Sequence, residues 1–232
     1  GPARLWCDSR NEIEGEELTK RLGTKCPKRM TSVRWLWTIR NQPEKAKHVR
    51  HITTPAGWIA YRLTGSWSLG IGDAAGMFPI DQKTLNYNAT MLDEFDFMAN
   101  DSAKDDSLKN TLSKLGELLP SVKKAGEDGG VLDSHGAGFL GLPEGIPVAP
   151  AEGDQPAALA GSLIASPGQV SMSFGTSVVA NSVGDRAFEG ISLPIDHFCA
   201  PDGRPINMVW LRNGTTAMNM VINLFGGDFS AI

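Results

Sequence analysis

Apolar positions at helical spacing recur through the first half of the chain, fade between Gly126 and Gly145, and give way to mixed helix and strand signals after it. "NEIEGEELTKRLG" is rich in acids, ends on lysine and arginine, and meets Gly23 as a stop, which predicts a surface helix. "SVRWLWTIRNQPEKAKHV" places Val33, Leu36, Trp37 and Arg40 three to four apart, with Pro43 as its break or the start of a new helix. Its tryptophans are expected in buried packing, with a ligand wall as the alternative. "ITTPAGWIAYRLTGSW" offers Thr53 or Thr54 as N-cap, Pro55 at the first helical position and Gly65 as the stop. The glycine- and alanine-rich "SLGIGDAAGMFPID" reads as a loop or a tightly packed crossing near a cleft.

Further on, Leu108, Leu112, Leu115 and Leu119 predict one face of a helix that Pro120 ends. The glycine-rich passage from Gly126 to Gly145, leading to "IPVAPAEGD" as a short buried strand and turn, is the candidate domain junction. "QPAALAGSLIA" predicts a small-residue helix, "QVSMSFGTSVVANSV" two strands around a polar glycine turn, and "NGTTAMNMVINLFG" a helix beginning near Asn213. The fold class is therefore α/β. No fixed-period repeat is seen.

Composition adds limits rather than a function. The 232 residues hold 41% hydrophobic and 21% charged side chains, as an ordinary globular protein does. A formal charge of -4 gives no reach toward nucleic acid or an anionic membrane. Cys7, Cys26 and Cys199 match neither a disulfide framework nor a zinc spacing, and there is no membrane-length apolar run, so a reducing, cytoplasmic setting is expected. Whether the chain forms a homodimer is left open.

Four ordered segments, "LWCDSR", "YRLTG", "EGDQPAALAG" and "SFGTS", resemble the FGGY family of carbohydrate kinases, closest to its xylulose or pentulose branch. The resemblance implies a ribonuclease-H-like (actin-like ATPase) fold with sugar and ATP meeting between two domains. Residues 1–160 would be the later part of the N-terminal sugar-binding domain, and 161–232 the beginning of the C-terminal nucleotide-binding domain. The family's early "DxGT" turn and late adenosine-binding segment have no counterpart here. The chain is accordingly expected to be an internal piece of a longer kinase, weak or inactive by itself.

The resemblance also assigns roles. Asp154 in "GDQ" matches the family's general base, on the sugar hydroxyl that receives phosphate. Without that context, an acid before a helix is a cap. Gly175, Thr176 and Ser177 would form a turn that holds ATP phosphate, with Thr176 the preferred side-chain contact and Mg2+ as the accompanying ion. Asp8 and Arg10 fall on the sugar side, where they contact substrate or simply pair with each other. Asp73 aligns with a family aspartate between small residues that serve substrate approach or interior packing. Glu152 is expected to face solvent, with support of a hydrated magnesium or tuning of Asp154 as the other options. Asn213, Thr215 and Thr216 are expected as a helix cap, and His135 carries no catalytic pattern. A noncatalytic carbohydrate- or nucleotide-binding module is the competing function.

Overall fold

The computed structural model describes residues 4–103, 108–109, 111–164, 166–186, 190–192 and 194–226. Helices α1 (Glu12–Leu22), α2 (Thr31–Asn41), α3 (Pro43–Ala46) and α4 (Pro55–Thr64) lead into strand β1 (Ser68–Gly70) and the short helix α5 (Ile71–Ala74). Next come β2 (Ile80–Asp81), β3 (Asn86–Tyr87), α6 (Ala89–Ser102), α7 (Leu115–Leu118), β4 (Ser121–Lys123) and α8 (Ser134–Leu140). The remaining elements are α9 (Asp154–Gly161), β5 (Val170–Phe174), β6 (Val178–Val183), β7 (Asp196–Cys199), β8 (Pro205–Leu211) and α10 (Gly214–Leu224).

Local chemistry accounts for the best-defined ends. In α1, Glu12 and Glu14 lie in the first turn and Lys20 and Arg21 in the last, matching the helix dipole. Gly23, at φ 66°, then closes the helix in a left-handed conformation that costs glycine little. The α4 start is tied by Thr54, whose hydroxyl accepts the Gly57 N–H, and by Pro55, whose missing N–H is not needed there.

One continuous core unites the helices. Leu18 and Leu22 of α1, Val33, Leu36 and Ile39 of α2, Leu69 of β1, Phe78, Phe95 of α6, and Leu108, Leu115 and Leu118 all bury against one another. Each such side chain contributes about 1.5–3 kcal/mol relative to exposure. Phe78 and Phe95 meet edge to face at 6.1 Å between ring centroids. Trp35 joins this core, while the Trp37 ring lies under the guanidinium groups of Arg4 and Arg10. Strand β1 pairs in parallel with β4, and this places α5 and Asp73 immediately beyond the end of β1.

After α9 comes a four-stranded antiparallel sheet in the order β5-β6-β8-β7. Its buried cluster is small: Leu159 of α9 packs with Val183, Ala200 and Ile206. Asp196, only 1% exposed, fastens this sheet to the helical region by an ion pair with Lys25 at 2.7 Å and by accepting a hydrogen bond from Arg29. The Asn181 amide of β6 donates to the Gln155 side chain of α9 at 3.2 Å.

Three expectations change. The spaced leucines do not mark one helix: the described part turns at 108–109 and 111 and has only α7 as helix, while 104–107 and 110 lie outside the described residues. Leu108, Leu115 and Leu118 are buried because the segment folds onto α6, where Asp96 accepts the Leu115 N–H at 2.9 Å; tertiary contact supplies the burial that a helical face would have supplied. "IPVAPAEGD" holds one isolated bridge, Val131 to Pro147, in place of a strand. Asn213 precedes α10 at φ 62° and its side chain caps nothing; Gly214 and Thr215 instead donate their N–H groups to Thr176 and Gly175 carbonyls. No helix among the described residues is long and apolar enough to cross a membrane.

Candidate functional site

A cleft of about 670 Å³ lies where the helical region meets the sheet. It is lined by Arg29 and Met30 ahead of α2, Thr53 and Thr54 ahead of α4, Gly72 and Asp73 of α5, and Gly153 to Pro156 at the start of α9. From the sheet come Ser177, Val179, Asp196, Phe198, Met208 and Trp210. The volume suits a small polar molecule with room for part of a second.

Asp154 is exposed to this cleft as the first residue of α9, following the extended Gly153. Its Oδ1 accepts the N–H of Gln155 at 2.8 Å, leaving the outer oxygen for a ligand. A carboxylate at a helix start is favoured by the dipole and, reachable from solvent, can take a proton from a bound hydroxyl.

Asp73 occupies the same cleft more deeply. Its Oδ2 accepts the Thr54 hydroxyl at 2.6 Å, so Thr54 both caps α4 and fixes Asp73. Burial pushes the Asp73 carboxyl above the usual range, the Thr54 hydrogen bond opposes that rise, and the charge of Asp154 adds to it.

Glu152 is not the surface residue expected from sequence. It turns inward, where its Oε1 accepts the Gly72 N–H at 3.3 Å and its Oε2 the Asp73 N–H at 3.0 Å. Burial raises its carboxyl to about 7, against the lowering effect of those amides. The turn could not be foreseen because its partners lie some eighty positions earlier in the chain.

Of the phosphate turn, Ser177 lines the cleft, whereas Gly175 and Thr176 are not among its lining residues. The Gly175 N–H donates to the Ser177 carbonyl at 3.0 Å, and the carbonyls of Gly175 and Thr176 receive the Thr215 and Gly214 amides at 2.8 Å. Gly175 does not adopt positive φ, and a Cβ there would meet only the Ser177 carbonyl, at an ordinary 3.5 Å. The turn is thus braced by α10 rather than dependent on a left-handed glycine. Asp8 and Arg10 do not line the cleft; they pair with each other, and the Arg10 hydrogen bond holds the Asp8 carboxyl well below the usual range. Trp6, beside them in sequence, does line it. His135 contacts Arg62 through Nε2 at 2.9 Å, away from the cleft.

Sequence reasoning did not single out Arg29, Arg34 and Asp196 as cleft residues. "LPIDHFC" gives no local sign that its acid is buried on two cations from the start of the chain. Among the described residues, no three or more His, Cys, Asp or Glu side chains converge to hold a metal ion.

The chain is α/β, with a cleft between a helical region and an antiparallel sheet that the Asp154 carboxylate lines. Its fold is the actin-like ATPase fold of solved carbohydrate kinases: a "xyloylose kinase" from Brucella ovis matches with TM-score 0.76 and 20% identity over 96% of this chain and 44% of that one. The model of the FGGY family of carbohydrate kinases, N-terminal domain, matches residues 3–161, and the chain belongs to this family. It is 29% identical to a xylulose kinase of Streptomyces coelicolor across 100% of this chain and 46% of that protein. It is 24% identical to a xylulose kinase of Haemophilus influenzae across 99% of this chain and 46% of that protein. The chain therefore spans about half the length of the curated relatives it matches.

Proposed function

We propose that the complete protein containing this cleft transfers phosphate from ATP to a small sugar, a ketopentose such as D-xylulose. The observation that carries this is the sharing of one cleft by Asp154, Asp73 and Ser177. Asp154 accepts the proton of the attacking sugar hydroxyl, and its position at the N-terminus of α9 keeps the anionic form favourable before transfer. Asp73, fixed by Thr54, accepts a second sugar hydroxyl and so orients the first. Ser177 meets the phosphate side, at the edge of the turn braced by Gly214 and Thr215. Mg2+ accompanies ATP, held by phosphate oxygens and water rather than by a protein cage. In this assignment residues 1–160 carry the sugar side and 161–232 begin the nucleotide side, while the Asp8 and Arg10 pair braces the sugar wall. Support for the sugar class comes from the xylulose kinases among its relatives.

A coupled assay of ADP release on the complete gene product, with D-xylulose and other ketopentoses, tests the assignment. Asp154→Asn is expected to lower kcat by roughly 10²–10⁴-fold, with ATP affinity little changed. Sugar-dependent turnover retained in Asp154→Asn would remove Asp154 as the base. Ligand binding without any turnover in the wild type would favour a noncatalytic binding module.

A further inference from the structure

Glu152 sits in a space that glycine makes for it. A Cβ at Gly70 would come within 2.4 Å of the Glu152 carboxyl carbon and Oε1, and one at Gly72 within 2.6 Å of Oε2. Both are closer than a real Cβ tolerates, so the inward carboxyl requires glycine at both positions, where the Ala151 carbonyl and Pro156 press on the same space. The backbone is pinned at the same point, because Gly70 donates its N–H to the Ala151 carbonyl at 2.7 Å.

The contacts then close into a loop. Glu152 holds the Gly72 and Asp73 amides; the Asp73 Oδ1 would lie 3.1 Å from a Cβ on Gly153; and Gly153 leads directly into Asp154. Thr54 secures the other Asp73 oxygen at 2.6 Å. Moving Glu152 off its seat would release α5, take the support from Gly153, and let the start of α9 shift.

We propose that Glu152 is a positioning residue, whose carboxyl, seated on the Gly72 and Asp73 amides, fixes the place of Asp154 in the cleft through Asp73 and Gly153. The proposal deepens the kinase assignment and depends on Asp154 being the proton acceptor. The ionisable groups coupled to this seat are Asp73 beside it, Asp154 beyond, Cys199 from β7, and the buried Tyr87 phenol facing Asp73. None is a cation, so among the described residues the seat is met only by the amide dipoles of Gly72, Asp73 and Gly153, and its protonation near neutrality is a usable probe.

The test uses the complete gene product, selectively labelled with 15N at glycine and aspartate. The amides of Gly72, Asp73, Gly153 and Asp154 are expected to move with one common midpoint near 7, and that midpoint is expected to vanish from all four in Glu152→Gln. An Asp154 amide that ignores the titration seen at Gly72 and Asp73 would overturn the proposal, whatever Gly153 does, since Gly153 donates its own N–H to Glu152. In parallel, Glu152→Ala should lower kcat on the order of 10- to 100-fold while KM for ATP stays within about twofold, with Glu152→Gln, which keeps the shape, in between. Wild-type turnover in Glu152→Ala would equally overturn it. If no sugar is phosphorylated even by the wild type, the kinase assignment fails, while the amide titration still decides whether Glu152 positions Asp154.

Discussion

The region from α1 to α7 and the region from β5 to α10 bury their apolar residues to different extents. In the first, Leu36, Phe78 and Leu115 are fully enclosed in a core that spans six helices, α1 to α3 and α5 to α7. In the second, only a few side chains around Val183 and Ile206 are enclosed, no residue of α10 is buried, and Phe174, Leu211, Leu224 and Phe225 lie exposed. Asp73 belongs with the enclosed region and Ser177 with the open one, while Asp154 stands between them: it is exposed at the start of α9, whose Leu159 packs with the sheet, and Glu152 just ahead of it reaches back to the Gly72 and Asp73 amides. The carboxylate proposed to take the hydroxyl proton is thereby tied to the rigid packing through its neighbour Glu152. The turn assigned to phosphate relies on backbone ladders and on α10, parts that open at lower cost.

The sharpest way to break this contrast is a pair of matched truncations. Phe78→Ala should cost about 3–5 kcal/mol in urea unfolding, because it empties a filled site. Phe225→Ala should stay within about 0.5 kcal/mol, since its ring is already in water. Equal losses would mean that the two regions share one core after all. Next in size, Asp196→Ala should cost about 1.5–3 kcal/mol by removing the charged partner of Lys25 and Arg29. The same measurement, repeated in high salt, should change the loss little, as Asp196 is buried.

Another test of the seat concerns pH. The Glu152 carboxyl rises from an ordinary 4.5 to about 7 on folding, so the folded chain binds that proton more tightly than the unfolded one. Its contribution to stability is complete below pH 4.5 and is lost as pH rises through 7. The stability of wild type relative to Glu152→Gln should therefore fall across that interval and then level off. A flat profile across it, with a rise confined to below pH 4.5, would show that the amides, and not burial, dominate the seat.

Local signals carried much of the helical region. Thr54, Pro55 and Gly65 mark α4 because capping, the fixed φ of proline and a left-handed stop act within a few residues. The β5 and β6 pair was equally legible from two apolar runs around "GTS". The leucines from 108 to 119 misled because spacing records which residues are apolar, not what encloses them; α6 provides that enclosure. The site divided along the same line. Asp154 could be singled out from "EGDQ", yet the inward turn of Glu152 depends on Gly70 and Gly72, and the burial of Asp196 on Lys25 and Arg29. Such distant pairings leave no periodic trace.

The central claim is that a sugar and a nucleotide meet in the cleft between Asp154 and Ser177. Hydrogen–deuterium exchange on the complete gene product, with D-xylulose, with ADP and with both, tests this most directly. D-xylulose should slow exchange at Gly72, Asp73 and Gln155, ADP should slow it at Gly175 to Ser177 and at Gly214 and Thr215, and the two together should protect both sets more than either alone. Protection confined to other surfaces, with these amides unchanged, would contradict the account.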